Sequence, residues 1–156
     1  MVEQYYNAKG YQVSRSFGHL VRRCSKLLTG HLEAVFVERD LTFVQYVILM
    51  HLRDHLAETA SEIGQNLCHD TGALTRIIDG MEKDGLLERT RSTEDRRSIR
   101  LSLTPKGQQT VEALIPEVAA LYNRMLSDFT HEEADQLVTL LARLADALVQ
   151  PIAGGR

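Results

Sequence analysis

The sequence predicts a mainly α chain interrupted by one small β-hairpin, and three observations lead there. Apolar residues recur at three- and four-residue steps over most of the 156 residues, which is the period of an amphipathic helix. Strict alternation occurs at Ser98-Ile99-Arg100-Leu101-Ser102-Leu103, the period of a half-buried strand. Aromatic residues make up only 6% with no Trp, while Leu, Ala, Glu, Arg and Gln recur, a composition that favours packed helices over stacked sheets.

Residues 1–14 are polar and carry three tyrosines without periodicity, so they read as a poorly specified N-terminal arm. From Ser16 onward Phe17, Leu20, Val21, Cys24, Leu27, Leu28, Leu32, Val35 and Phe36 fall on one stripe of a long helix, within a segment spanning 15–40. Thr42 with Gln45 forms a capping box that opens a second helix, with Val44, Val47, Ile48 and Leu52 facing inward. Thr59 with Glu62 repeats the device for a short helix from Ala60 to about Leu67 that buries Ile63 and Leu67. Past the turn at Cys68-His69, Asp70 can cap a further helix with Leu74, Ile77, Ile78 and Met81 inside, and Gly85 suits its left-handed stop.

The alternating strand then pairs with Leu86–Arg91 across a polar tip, Ser92 to Arg97, completing a lobe that spans 41–104. Thr104-Pro105 restarts helix, because Pro at the first helical position loses only an amide that lacked a partner. That helix is expected to reach Asp128 with a bend near Pro116. Thr130 and Glu133 cap a last helix with Ala134, Leu137, Val138, Leu141, Leu144, Ala145 and Leu148 on one face. Residues 105–150 thus hold two helices, and the tail 151–156 is expected to fray.

Composition narrows the function. One ordinary core is affordable at this length, and a net charge of -3 gives no global argument for a polyanionic partner. Locally the balance reverses, because Arg89, Arg91, Arg96, Arg97 and Arg100 stand against only Glu94 and Asp95. Cys24 and Cys68 lack metal-ligand spacing, and neither a signal peptide nor an apolar run long enough to span a bilayer is visible, so a cytoplasmic, non-membrane protein is expected. No Gly-rich phosphate loop or nucleophile motif invites catalysis, so no catalytic residues, cofactor or enzyme activity are expected. His51 and His55, four apart, suggest a shared helix face with His69 or His131 as further ligands, but the set is not specified and no metal site is assigned.

Three helices followed by a two-stranded wing is the layout of a winged helix-turn-helix, whose second turn helix enters the major groove of DNA. With its apolar residues turned inward, that helix leaves Thr71, Gly72, Ala73, Thr75 and Arg76 for base edges: small residues permit close approach, Thr offers a hydroxyl or methyl, and Arg takes guanine bidentately. The tip Glu94-Asp95-Arg96-Arg97 projects cations toward phosphates or a narrow minor groove. A winged-helix module that binds protein is the competing reading, but an interaction helix would more typically expose apolar anchors. The flanking helices need partners of their own, and a homodimer supplies them by joining long N- and C-terminal dimerisation helices from two chains.

The string from Asp95 to Gly107, Asp-Arg-Arg-Ser-Ile-Arg-Leu-Ser-Leu-Thr-Pro-Lys-Gly, resembles the wing signature of the MarR family of transcription regulators. Leu41-Thr42 with Gln45-Tyr46, Leu74-Thr75-Arg76 and Lys83-Asp84-Gly85-Leu86-Leu87 extend the likeness to roughly Arg15–Val149. The resemblance implies a dimeric repressor of double-stranded DNA reading a pseudo-palindromic operator, with Arg97 in the minor groove, Asp95 orienting it, and Arg96 nearer phosphate. The opening Arg15-Ser16, Gly18, Leu20, Arg22-Arg23 is similar to members that respond to small aromatic acids. That implies a small-molecule effector site near His19, Arg22, Arg23, Tyr46 and Met50. Thiol- and metal-responsive members are the alternatives. Counting back from Leu41-Thr42 places the hydroperoxide sensors' cysteine near Gly18, whereas Cys24 on the apolar stripe reads as a small core residue and Cys68 has no basic cluster around it.

Overall fold

A computed structural model describes residues 5–67, 71–91 and 99–149. A single 3₁₀ turn at Val13–Arg15 leads into α1 (Phe17–Val37), followed by α2 (Phe43–Arg53), α3 (Ala60–Leu67), α4 (Thr71–Lys83), β1 (Leu87–Arg91), β2 (Ile99–Leu103), α5 (Pro105–Met125) and α6 (His131–Val149). The chain divides into two compact units, Met1–Glu117 and Val118–Arg156, so the boundary falls inside α5 just past Pro116. Each unit is described separately. The element order is that of a winged helix-turn-helix with long helices before and after it.

The core of the first unit begins where α1 ends. Phe36 stacks on Tyr46 of α2 with ring centroids 4.5 Å apart, and Leu32, Ile48 and Leu49 are fully buried beside them. The Thr42–Gln45 capping box is present in both directions and fixes where α2 starts. At α3 the Thr59 hydroxyl accepts from the Glu62 amide at 3.2 Å while the Glu62 carboxylate accepts from the Thr59 amide at 2.9 Å. α3 packs on α4, with Ile63 of the first and Leu74, Ile78 and Met81 of the second all buried, which forms the helix-turn-helix. Leu67 and Ile77 are half-buried. The proposed cap Asp70 lies outside the described residues, as do Cys68 and His69.

Gly85 takes the left-handed stop with φ +71°, and the wing follows. β1 and β2 are antiparallel, with Leu87 opposite Leu103 and Arg91 opposite Ile99. The Leu101 amide donates to the Glu58 carbonyl at 2.7 Å, which ties β2 to the loop before α3. Of the alternating apolar residues in β2, Leu101 is buried and Leu103 half-buried, whereas Ile99 is 52% exposed.

The start of α5 is knotted to the end of α4. The Thr104 hydroxyl donates to the Gly85 carbonyl at 2.5 Å, and Lys106 Nζ to the Asp84 carbonyl at 2.7 Å. Gly107 is there because nothing larger fits: a Cβ would sit 1.9 Å from the Leu86 carbonyl oxygen. Val111 and Leu114 of α5 are buried in this unit.

In the second unit Val118 and Leu121 are buried, and α5 stops at Met125, short of the expected Asp128. The Leu126 amide still bonds to Tyr122, but the Phe129 amide reaches back only to Leu126, a turn rather than a helix. The Thr130–Glu133 capping box forms as expected. No residue of α6 is buried: Leu137, Val138, Leu141 and Leu148 are all exposed, Val149 to 85%.

Three expectations need correction. The arm is not poorly specified over its described part, because the Phe17 amide donates to the Tyr6 hydroxyl at 2.7 Å and Tyr6 packs edge-on with Tyr5 and Tyr11. Cys24 is exposed rather than in the core, since only the Leu32–Phe36 end of the α1 stripe is covered, and Phe17, Leu20, Val21 and Leu27 stand open. His51 and His55 do not share a helix face: α2 ends at Arg53, His55 takes a left-handed φ of +53°, and the His51 Nδ1–H donates to the Val47 carbonyl.

Candidate nucleic-acid interface

α4 is amphipathic in the sense its sequence dictates, and burial of Leu74, Ile78 and Met81 leaves Gly72, Ala73, Thr75 and Arg76 exposed on its N-terminal half. Thr71 opens the helix, and its side chain is outside the described residues. The face therefore presents a flat stretch of small residues flanked by a hydroxyl and a guanidinium. That chemistry permits close approach of the helix to base edges, with both hydrogen-bond and methyl contacts available.

The neighbouring carboxylates are neutralised. Asp79 lies one turn beyond Thr75 and Arg76, on the same side of the helix. Arg89 of β1 reaches across to it, with Nη2 2.6 Å from Asp79 Oδ1 and Nη1 2.5 Å from Glu82 Oε2. The Asp79 hydrogen bond holds the guanidinium even more firmly in its charged form than usual, with burial opposing and Glu82 assisting. The clamp links α4 to β1 and sets a positive charge against both carboxylates.

This changes the charge account read from the sequence. Arg89 is committed to α4, and Arg100 pairs with Glu58 at 3.3 Å. Two of the five arginines counted in this stretch are thus structural. Asp95, Arg96 and Arg97, the expected tip residues, lie outside the described residues.

The expected effector residues do not converge in one chain. His19 and Arg22 line a cleft of about 430 Å³ with Tyr6, Tyr11 and Phe17, while Arg23 is exposed and outside its lining. Tyr46 is buried against Phe36, and Met50 is half-buried further along α2. From His19 to Phe36 is about 25 Å along α1 at about 1.5 Å per residue, too far for one small molecule to touch both ends. A second cleft of about 400 Å³ lies at the wing root, lined in part by Arg53, His55, Glu58, Arg100 and Gln108.

Sequence reasoning overlooked a charge segregation that marks the first cleft. Residues 4–32 contain Lys9, Arg15, Arg22, Arg23 and Lys26 and no carboxylate side chain, in a chain whose net charge is -3. A running charge count would have found it. Among the described residues no cluster of His, Cys, Asp and Glu is arranged to hold a metal ion, and no helix is long and apolar enough to cross a membrane.

Comparison with known proteins agrees with this geometry. A family model described as "MarR family" matches residues 41–99, the span from the start of α2 to the wing. The organic hydroperoxide resistance transcriptional regulator of Bacillus subtilis is 31% identical over 84% of this chain and 88% of its own length. The transcriptional repressor MdtR of the same organism is 34% identical over 70% of this chain and 71% of its own. Among solved structures, Bordetella bronchiseptica BpsR, whose DNA binding is regulated by 6-hydroxynicotinic acid, superposes with a TM-score of 0.76 at 26% identity, covering 87% of this chain and 97% of that one.

Proposed function

Because this chain belongs to the MarR family, and so is a DNA-binding transcription regulator rather than an enzyme, we propose that it acts in the cytoplasm as a homodimeric repressor of a pseudo-palindromic operator, released by a small aromatic or acidic ligand. The observation that carries the dimer is the uncovered apolar surface: all of α6 and the Phe17–Leu27 stretch of α1 expose large hydrophobic side chains. Each such side chain contributes roughly 1.5–3 kcal/mol when fully buried, and a second copy provides matching surface by symmetry.

In the dimer two α4 helices enter successive major grooves, separated by about one helical turn of duplex. Thr71, Gly72, Ala73, Thr75 and Arg76 meet base edges, Arg97 oriented by Asp95 enters the minor groove, and Arg96 lies nearer phosphate. The small aromatic control of BpsR supports a ligand-responsive reading here, as does a cleft that already contains two of the expected residues, His19 and Arg22.

The test is binding of duplex from the chain's own promoter region, measured against salt for wild type, Arg76→Ala and Arg97→Ala. Each variant is expected to lose about 1–3 kcal/mol of specific binding, with a sedimenting mass of two chains throughout. A single-chain species with no preference among duplexes overturns the proposal.

A further inference from the structure

We propose that the cleft at the wing root binds the phosphate group of a small monoester, with Arg53 of α2 and Arg100 of β2 as its cationic arms and His55 of the α2–α3 loop as a further donor. The cleft shares no lining residue with the one at the start of α1. The site does not depend on the regulator reading above; only its effect on duplex binding does.

At about 400 Å³ the cleft has room for an ester and not only for a bare ion. Its apolar part comes from the buried Leu52 and Leu101. Its donors come from separate segments, Arg53 on α2, His55 in the following loop, Thr90 on β1 and Arg100 opposite it on β2. Donors arriving from several elements suit a tetrahedral group with three free oxygens better than a planar carboxylate.

The lining favours an anion. Glu58 is its only carboxylate, and Arg100 already pairs with it at 3.3 Å. Both partners are nearly half exposed, at 45% and 46%, and such a pair contributes little and exchanges easily. Arg53 engages Asp54 through Nε alone, at 2.7 Å, which leaves the Nη edge of its guanidinium for a ligand.

His55 gives an independent reason. It holds a left-handed φ of +53° at the end of α2, where its amide donates to the Leu52 carbonyl and the Leu56 amide to the His51 carbonyl. Helices favour Gly at such a stop, because a Cβ is strained there. The chain keeps an imidazole instead, which lines the cleft and has no hydrogen bond or ion pair among the described residues. Strain retained at a side chain with no internal partner points to a partner from outside.

An ester that takes Arg100 displaces Glu58. The Glu58 carbonyl still accepts from the Leu101 amide at 2.7 Å, and its amide still donates to Glu62 at 2.8 Å. Loop and strand thus stay joined through backbone, while a side-chain link is lost and negative charge is added beside the wing. Duplex binding is then expected to weaken severalfold at low salt.

The experiment uses the full chain in phosphate-free buffer with three probes: butyl phosphate, pentanoate and inorganic phosphate. Calorimetry is expected to show butyl phosphate binding about tenfold more tightly than either of the others. Arg53→Gln is expected to weaken it about tenfold, and Glu58→Gln, which removes the competing carboxylate, to tighten it. His55→Gly is expected to weaken binding while holding or raising the melting midpoint, an outcome that a purely structural His55 does not give. Lys83→Gln, outside the cleft, leaves binding unchanged. Absence of butyl phosphate binding, binding equal to that of pentanoate, or binding indifferent to Arg53 and Glu58 overturns the site. If butyl phosphate fails to bind but Arg53→Gln flattens the salt dependence of duplex binding, the cleft holds a duplex phosphate and the small-molecule site is overturned. Duplex binding measured without the ester shows separately whether the regulator reading survives. Arg53-dependent ester binding that leaves duplex affinity unmoved supports the site and overturns its influence on the wing.

Discussion

α4 and α6 carry the same kind of apolar stripe and meet opposite fates. In α4 the stripe is buried within its own chain, with Leu74, Ile78 and Met81 all at or near zero exposure. In α6 no side chain is buried, and Leu137, Val138, Leu141 and Leu148 lie open. Helical periodicity reports that a face needs cover; it does not say whose surface supplies it. The contrast separates a stripe covered within its own chain from one left open, the face that the proposed second copy would cover.

The largest expected effects test that division directly. Ile78→Ala removes buried volume and is expected to cost about 2–5 kcal/mol, independent of protein concentration. Leu141→Asp with Leu148→Asp leaves the winged lobe folded but is expected to abolish association and weaken operator binding at least a hundredfold. Circular dichroism melts at several concentrations, with sedimentation, read both. A doubly charged α6 that still forms dimers breaks the comparison.

Gly107→Ala probes the joint between α4 and α5. A Cβ there meets the Leu86 carbonyl oxygen at 1.9 Å, so backbone must move, at a cost of about 1–3 kcal/mol or more. Both the melting midpoint and duplex affinity are expected to fall, since the shift separates the start of α5 from the turn that ends α4. An unchanged melt would mean the two backbones do not approach this closely.

Much of this was legible before any coordinates. Every capping box read from Thr42, Thr59 and Thr130 forms, because those signals are local and satisfy the same orphan amides wherever the helix lies. The inward face of α4 and the stop at Gly85 were equally readable, whereas in α2 the expected Ile48 and Leu52 are buried together with Tyr46 and Leu49, and Val44 and Val47 are only half-buried. What escaped involves contacts distant in sequence or dependent on side-chain geometry. Arg89 looked like one more wing cation, but its partners Asp79 and Glu82 sit on another element. The arm tyrosines have no period to detect, and their order comes from a hydrogen bond between Phe17 and Tyr6. Cys24 was misread because its stripe continues past the stretch that the chain can cover. Of the candidate site, the exposure of Gly72, Ala73, Thr75 and Arg76 on α4 was legible, whereas the effector set joined residues near the start of α1 with Tyr46 and Met50 of α2.

The Arg89 clamp sharpens the comparison from the α4 side, where burial alone does not make a reading surface. Arg89→Leu uncovers Asp79 and Glu82 beside the α4 face proposed to read bases and removes the link from α4 to β1. Duplex affinity is expected to fall about tenfold at low salt, with most of the loss disappearing as salt screens the exposed carboxylates. Asp79→Asn combined with Arg89→Leu is expected to recover part of it. A loss that persists equally at high salt would assign Arg89 a purely geometric part.

The smallest effect concerns capping, the one device that the buried and the open regions share. Glu62 accepts from the backbone amides of both Glu58 and Thr59, at 2.8 and 2.9 Å, and its pKa lies below 4.5, chiefly through the Glu58 amide and then the Thr59 hydrogen bonds. A depressed carboxylate pKa stabilises the fold while the group is ionised, so the contribution is complete above the unfolded value and is lost as pH falls through the folded one. Glu62→Gln keeps an acceptor but removes the charge, and is expected to cost no more than about 1 kcal/mol at neutral pH. The difference between wild type and variant should then shrink as the medium is acidified below 4.5. Equal losses at neutral and acid pH would show that the charge contributes nothing and that the cap holds by hydrogen bonding alone.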